Sequence, residues 1–310
     1  MNMSSTINFE KIVDISLDNF CWQKDAIIIT GPTCVGKSAI AISLAKKING
    51  VILNADSVQV YKNLKILSAR PSEEELQGIP HFLYGYVDGS NNYSVADWLF
   101  DLKTTLKNIK LSKKVPIIVG GSGLYINAVL NGLSKIPDIS EENKNLSLAT
   151  FNEIGLEKFK QLNSQIDPEF IKISNDKQRL LRAYSVFLQT KKNMTFWHKQ
   201  PREGKLEKNI ISIFINSERR LIYKNCDFRF DKMLEKGALA EVESLWESKI
   251  DRSLPISKSL GVKWLLQYLD KSISYKDAVN LSKRDTRRYV KRQITWFSHN
   301  YIPYKTILLK

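Results

Sequence analysis

Cysteine is scarce. Cys21, Cys34 and Cys226 are the whole supply in 310 residues. So few, set so far apart, offer neither a disulfide framework nor a thiolate zinc site. Histidine is equally thin, and His81, His198 and His299 lie too far apart in sequence to suggest an imidazole metal site. No apolar run approaches the roughly 20 residues that a membrane-spanning helix needs. Residues 1–20 carry Glu10, Asp14 and Asp18 and lack a continuous apolar core, so they do not read as a secretory signal. These absences argue against a secreted disulfide scaffold, a zinc enzyme and a membrane protein, and the cytoplasm is the expected compartment. Acid is short as well: 32 Asp and Glu face 47 Lys and Arg, a net charge of +15. Such an excess favours a polyanionic partner, nucleic acid or an anionic membrane. A lysine-rich surface kept for solubility would give the same count.

What is present has the grammar of an open α/β sheet. Residues 1–23 read as an irregular N-terminal extension. Ala26–Thr30, Val51–Asn54 and Val115–Val119 are short apolar runs suited to strands buried on both faces. Helical periods separate them at Ser38–Ile48 and Ser94–Ile109, the latter with Ser94 as N-cap and Asp97 three residues on. A short helix is expected near Glu73–Glu75. From Pro137 the character changes, and 138–206 shows helical patterns without a convincing strand. Ile210–Ile215 then reads as another buried strand, followed by helices at Tyr223–Gly237, Ala238–Glu247, Lys258–Tyr268 and Tyr275–Trp296. The expected architecture is a P-loop parallel-sheet α/β core, 24–137 with 207–310, carrying a helical insertion domain at 138–206. No internal repeat and no long low-complexity segment interrupts it.

The strongest motif is Gly31-Pro32-Thr33-Cys34-Val35-Gly36-Lys37-Ser38, a complete phosphate loop between a strand and a helix. Its glycines let successive N–H groups turn inward as a nest for phosphate oxygens, and the following helix presents its positive end to the same anion. Lys37 supplies a mobile cation, and Ser38 offers a hydroxyl to a bridging Mg²⁺. A nucleoside-triphosphatase usually adds a strand ending in Asp. Here Val115–Val119 runs into Gly120-Gly121-Ser122 and carries no acid, which leaves room for a different diphosphate as ligand.

Asp56 follows the second strand, on the rim where open α/β sheets bind ligands. A carboxylate there can take a proton from an attacking nucleophile. It could equally be an ordinary turn or N-cap aspartate. Near the other end, Arg284, Arg287, Arg288 and Lys291 share a helical face through three- and four-residue spacing, with Arg292 beside them. That face reads as an RNA surface or as a solvated basic helix. Trp296 is assigned to the core.

Further elements occur in a fixed order: Ala55-Asp56-Ser57-Val58-Gln59-Val60-Tyr61, Pro80-His81, Tyr93-Ser94-Val95-Ala96-Asp97, Val119 to Tyr125, Asp176 to Arg182, and Lys291-Arg292-Gln293-Ile294-Thr295-Trp296-Phe297. With the phosphate loop, this set resembles the bacterial tRNA dimethylallyltransferases, the tRNA isopentenyltransferase family, over about Ile27 to Phe297. The resemblance implies transfer of a dimethylallyl group from dimethylallyl diphosphate to the exocyclic N6 amine of the adenosine 3′ of the anticodon in tRNA. It implies that Gly31–Ser38 hold the isoprenoid diphosphate, with Ser38 acting on Mg²⁺, that Asp56 takes the amine's proton, and that Arg219 clamps the diphosphate. It implies tRNA contacts from Asp56, Ser57, Val58, Gln59 and Ser122 around the target base, and from Lys144, Gln178, Arg179, Leu180, Leu181 and Arg182 in an insertion gripping the anticodon stem-loop. Lys258, Lys263, Arg284, Arg287, Arg288, Lys291, Arg292 and Gln293 complete the expected RNA set.

The sequence departs from the family's habit at Ser122 (usually threonine), Leu67-Ser68 (usually Gly-Thr), Phe82, Asn225 and Val262, while Lys37, Ser38 and Asp56 are intact. An adenylate isopentenyltransferase acting on free nucleotide would need neither the basic helix nor the insertion. A small-molecule kinase would be expected to carry the missing acid, and an RNA-binding module would not need an intact loop with Asp56. A monomer without membrane contact is expected.

Overall fold

The computed structural model describes residues 25–309, apart from 112 and 175. The expected extension, 1–23, therefore lies outside the described residues. In chain order the elements are β1 (Asp25–Thr30), α1 (Lys37–Lys47), β2 (Gly50–Asn54), α2 (Glu73–Leu76), β3 (His81–Phe82), α3 (Val95–Leu111), β4 (Val115–Gly120) and α4 (Gly123–Asn131). Next come β5 (Leu133–Ser134), α5 (Glu141–Ile166), α6 (Pro168–Ile173), α7 (Lys177–Thr190), α8 (Met194–Lys199) and β6 (Arg202–Glu203). The chain closes with β7 (Asn209–Ser217), α9 (Arg219–Glu235), α10 (Ala238–Glu247), a 3-10 turn (Pro255–Lys258), α11 (Val262–Leu269), α12 (Tyr275–Asn300) and β8 (Lys305–Leu309).

Residues 25–129 and 206–309 form one compact unit and 130–205 a second. The first is built on a six-stranded sheet in the order β3-β2-β4-β1-β7-β8, with every pairing parallel. Parallel strands need crossover helices, and helices on the faces bury the strands from both sides. This explains why β1, β2 and β4 read as unbroken apolar runs: each is buried from end to end. Strands β3 and β8 are not visible as such in the sequence. They occupy the sheet edges, where two residues of β3 suffice and β8 buries only Ile307, opposite Ile215 of β7. On α12, buried Ala278, Ser282, Thr286, Val290, Gln293 and Phe297 recur every three or four residues, and this face packs on α9 and α11.

The second unit begins eight residues before the expected boundary at 138, because Leu133–Ser134 pair antiparallel with Arg202–Glu203. It is otherwise helical. Its core joins Ile139, Phe170, Ala183, Val186 and Met194. Gly155, at φ 73°, breaks α5 into two parts across a kink. Buried Asp167 is satisfied by the amides of Phe170 (3.1 Å) and Thr195 (2.8 Å) and by the Thr195 hydroxyl (2.6 Å). Among the described residues, no helix is long and apolar enough to cross a membrane.

Candidate active site

The site lies at the carboxyl ends of β1, β2 and β4. Gly31 leaves β1 at φ 153°, and a Cβ there would stand 2.1 Å from the Ile215 carbonyl oxygen. Only glycine fits so close to a neighbouring strand. Gly36 caps α1 at φ 94°, turning the chain so that the loop amides and the helix start face one hollow. That cavity, about 380 Å³, is lined by Thr33, Cys34, Gly36, Lys37, Ser38, Asp56, Gln59, Tyr84, Asn225, Phe228 and Arg229, among others. Lys37 Nζ donates to the Pro32 carbonyl (2.7 Å), and burial pulls its pKa down to about 8 against the attraction of Asp56.

Two distant elements brace the loop. Gln293 of α12 accepts from the Thr33 amide through Oε1 (2.9 Å) and donates to the Gly121 carbonyl through Nε2 (2.8 Å). Arg229 of α9 donates to Thr33 Oγ1 (2.8 Å). Asn54, fully buried at the end of β2, fixes the turn that carries Asp56. Its Oδ1 accepts from the Asp56 amide (2.9 Å), and its Nδ2 donates to the carbonyls of Asp56 and Leu83 (both 3.0 Å). Trp98 Nε1 donates to the Asn54 carbonyl (2.9 Å) from the other side.

Asp56 itself combines both roles that its sequence position allows. Its Oδ1 accepts from the amides of Val58 (2.9 Å) and Gln59 (3.4 Å), as a turn aspartate does. Among the described residues Oδ2 has no hydrogen-bond partner. Asp56 borders a second cavity of about 450 Å³, lined by Ser57, Val58, Tyr61, Leu67, Tyr93, Leu124, Tyr125, Lys258, Tyr289 and Arg292 among others. Thr33, Asp56, Ser68 and Arg229 line both cavities, so the two adjoin at the carboxylate. Burial pushes the phenols of Tyr84, Tyr125 and Tyr289 up, and the Asp56 charge adds to each shift. These aromatics are neutral walls. The loop 65–69 on the shared rim is held by Glu241 of α10, whose carboxylate accepts from the amides of Lys65 (2.5 Å), Ile66 (2.8 Å) and Leu67 (2.9 Å). Gln59 Nε2 donates to the Ser68 and Ala69 carbonyls (2.9 and 3.0 Å) of the same loop.

Several expected residues fall elsewhere. Arg219 opens α9, which starts four residues before the expected Tyr223, and it borders an open surface hollow with Glu218, Arg220, Tyr223, Lys224 and Asp227. Arg229 of the same helix lines the loop cavity instead. Its spacing from Cys226, Phe230 and Met233 is that of any cation at the edge of a buried helix face, and only packing brings it to Thr33. Gln293 is buried and braces the loop instead of facing outward. Leu180 is fully buried in the second unit. The basic face of α12 is divided. Arg287 Nη1 donates to both carboxylate oxygens of Asp227 (2.6 and 2.7 Å), and Arg284 and Arg288 lie near Asp285 at 3.1 and 3.8 Å. Arg288, Lys291 and Arg292 are exposed, as are Lys258 and Lys263. Trp296 packs on Gly123, where a Cβ would stand 2.4 Å from its ring.

Ser57 and Ser122 meet through the Ser57 amide and the Ser122 hydroxyl (3.2 Å), and Val58 is half-buried beside them. In the second unit Gln178, Arg179 and Arg182 are exposed on α7, Leu181 is half-buried, and Lys144 is exposed and paired with Glu141 (2.6 Å). Of the departures, Leu67 and Asn225 line the two cavities, Val262 is core and Phe82 is at the surface. No cluster of three or more metal-binding side chains occurs among the described residues.

The sequence pattern of the IPP transferase family matches residues 59–300. A tRNA dimethylallyltransferase of Hyphomonas neptunium is 39% identical over 279 residues, 89% of this chain and 88% of the relative. One of Azorhizobium caulinodans is 41% identical over 278 residues, 88% of this chain and 89% of the relative. Among solved structures, the full-length tRNA isopentenylpyrophosphate transferase of Bacillus halodurans aligns with TM-score 0.67 at 30% identity, covering 92% of this chain and 90% of that one. A eukaryotic dimethylallyltransferase acting on tRNA aligns with TM-score 0.73 at 27% identity, covering 88% and 70%.

Proposed function

Because the chain belongs to the IPP transferase family, we propose that its two adjoining cavities hold the two substrates of one transfer, with Asp56 between them. The enzyme is a tRNA dimethylallyltransferase: it moves a dimethylallyl group from dimethylallyl diphosphate to the N6 amine of the adenosine 3′ of the anticodon in tRNA and releases diphosphate. The observation that carries the assignment of roles is the shared wall of Thr33, Asp56, Ser68 and Arg229.

The diphosphate sits on the amides of the loop Gly31–Ser38, with Lys37 and Arg229 as its cations. As the allylic C–O bond breaks, negative charge grows on the leaving diphosphate, and these fixed donors stabilise it more than the ground state. The new bond joins the adenine nitrogen to the allylic carbon, and Asp56 Oδ2 takes the proton that this nitrogen sheds. Oδ1 is engaged by the turn, so the carboxylate cannot swing away. An adenine amine is a weak nucleophile, and alignment between the walls of Tyr61, Tyr125 and Tyr289 supplies much of the rate. The base reaches that cavity only if it leaves its stack, at a cost of a few kcal/mol.

Mg²⁺ fits the residues present. A phosphate-loop magnesium takes one hydroxyl, phosphate oxygens and waters, not a cage of acids. Ser38 lines the diphosphate cavity, and no acid cluster competes with it among the described residues. Bound there, the ion would neutralise diphosphate charge. Binding of tRNA is assigned to exposed Arg288, Lys291, Arg292, Lys258 and Lys263, and to Lys144, Gln178, Arg179 and Arg182 of the second unit, which act on phosphates and fix register.

The test offers labelled dimethylallyl diphosphate and Mg²⁺ with unmodified tRNA or with AMP, alongside a γ-phosphate transfer assay. Label is expected in tRNA alone. Label in AMP but not in tRNA, or kinase activity alone, would sink the proposal.

A further inference from the structure

Two thiols meet beneath the diphosphate loop. Cys34 is a loop residue in the left-handed region (φ 63°), half-buried and lining the cavity. Cys226 lies on α9 and is only 1% exposed. Cys34 packs on the core cluster that contains Cys226, and each thiol shifts the other's ionisation. A second contact fixes the pairing. Arg229, three residues along the same face of α9, binds the hydroxyl of Thr33, the loop neighbour of Cys34. Adjacent loop residues are thus docked on adjacent turns of one helix. The phosphate-loop pattern leaves position 34 open, so phosphate binding does not demand a thiol there. Nor does the transfer use either one.

We propose that Cys34 and Cys226 are a reversible redox pair, oxidised by peroxide to a disulfide that disables the diphosphate grip. The proposal rests on reading this loop as the diphosphate site. Cys34 is the reactive member because it borders the cavity. The Cys226 thiol holds its pKa down to about 6 against burial, helped by Arg229 and Lys37. The groups facing the pair are Thr33 and Lys37 from the loop and Arg229 and Asp227 from α9. Cys226 is pushed up by Cys34 and by burial, so it stays a thiol. The Cys34 thiolate attacks a peroxide oxygen, the O–O bond breaks, and hydroxide leaves with a sulfenic acid on Cys34. Cys226 sulfur then attacks that sulfur, its proton joins the departing hydroxyl as water, and the S–S bond forms. The two cysteine sulfurs lose two electrons together, and the peroxide gains two. The new bond draws residue 34 toward α9 and takes its amide out of the phosphate nest. Bound diphosphate, lying over the loop, shields Cys34 from the first step.

The experiment uses the full chain carrying Cys21→Ser, reduced and then treated with hydrogen peroxide. Non-reducing peptide mapping is expected to find Cys34 linked to Cys226, with less of it when inorganic diphosphate and Mg²⁺ are present. The KM for dimethylallyl diphosphate should rise about tenfold or more, the equivalent of losing one charged hydrogen bond, and dithiothreitol should reverse it. Cys226→Ala, or Cys226→Ser should alanine prove unstable, should lose reversibility, because unresolved Cys34 runs on to sulfinic acid. No linked peptide, a linked peptide with unchanged KM, or full recovery of the Cys226 variant by dithiothreitol would overturn the proposal. Absence of transfer by the reduced, untreated protein would count against the function itself, while the peptide map would still report on the pair.

Discussion

Replacing Asp56 by Asn separates the two jobs of one carboxylate. Asparagine keeps an Oδ1 that accepts from the Val58 and Gln59 amides, and it removes the oxygen that takes a proton. Those two turn hydrogen bonds contribute about 1 kcal/mol each, so Asp56→Asn should unfold in urea within about 1 kcal/mol of the native protein. Transfer should fall at least about 100-fold, a rise of about 2.7 kcal/mol in the barrier. Asp56→Ala loses both jobs, and its stability should drop by about 2 kcal/mol as well. The assay is single-turnover transfer of labelled dimethylallyl to tRNA with both substrates saturating, beside a gel-shift measurement of tRNA affinity. Affinity should change little in the asparagine variant. If that variant transferred within about threefold of the native rate, less than 1 kcal/mol in the barrier, Oδ2 could not be the proton acceptor.

Lys37 is held near pKa 8 by burial, so kcat/KM for dimethylallyl diphosphate should decline as pH rises through about 8, and Lys37→Arg should remove that decline. For stability the sign follows from the lowered value: the cost of charging Lys37 is full below about 8 and is relieved as pH climbs toward the ordinary lysine range. Steady-state profiles with and without the variant decide it. Arg229→Ala should raise KM for the diphosphate substrate roughly 10- to 100-fold, while Arg219→Ala stays near native; equal effects would reject the placement. Arg288→Ala should weaken tRNA binding and lower the slope of log K against log salt by about one, read by filter binding over a salt series. Glu241→Ala removes the acceptor of three loop amides and should cost about 3 kcal/mol in urea unfolding, with a higher KM for tRNA as loop 65–69 loosens.

The parallel core was legible because buried parallel strands are written as apolar runs, and β1, β2, β4 and most of β7 are such runs. Lys305–Leu309 was not, since an edge strand with one buried side chain has the pattern of any exposed tail. Gly31–Ser38 and Asp56 were readable because local geometry dictates their residue types. Gln293, Arg229 and Glu241 act across 260, 196 and up to 176 residues of chain, and no local rule reports such pairings. The same holds for Arg287: spacing placed it correctly on a helix face, but only packing reveals Asp227 opposite it.

Among the described residues, the brace at Gln293 ties the first loop to the last helix. Synthesis at about 5–20 residues per second puts some tens of seconds between the emergence of Thr33 and that of its partner. For most of that interval β1 also lacks β7, the strand that flanks it on one side. The helices of 130–205, with the strand pair that closes the segment at its two ends, find these partners within their own unit and can be complete before the sheet is. The nascent enzyme therefore carries a finished middle and an unfinished beginning, and a ribosome that stops short of α12 releases a chain whose phosphate loop has never been closed.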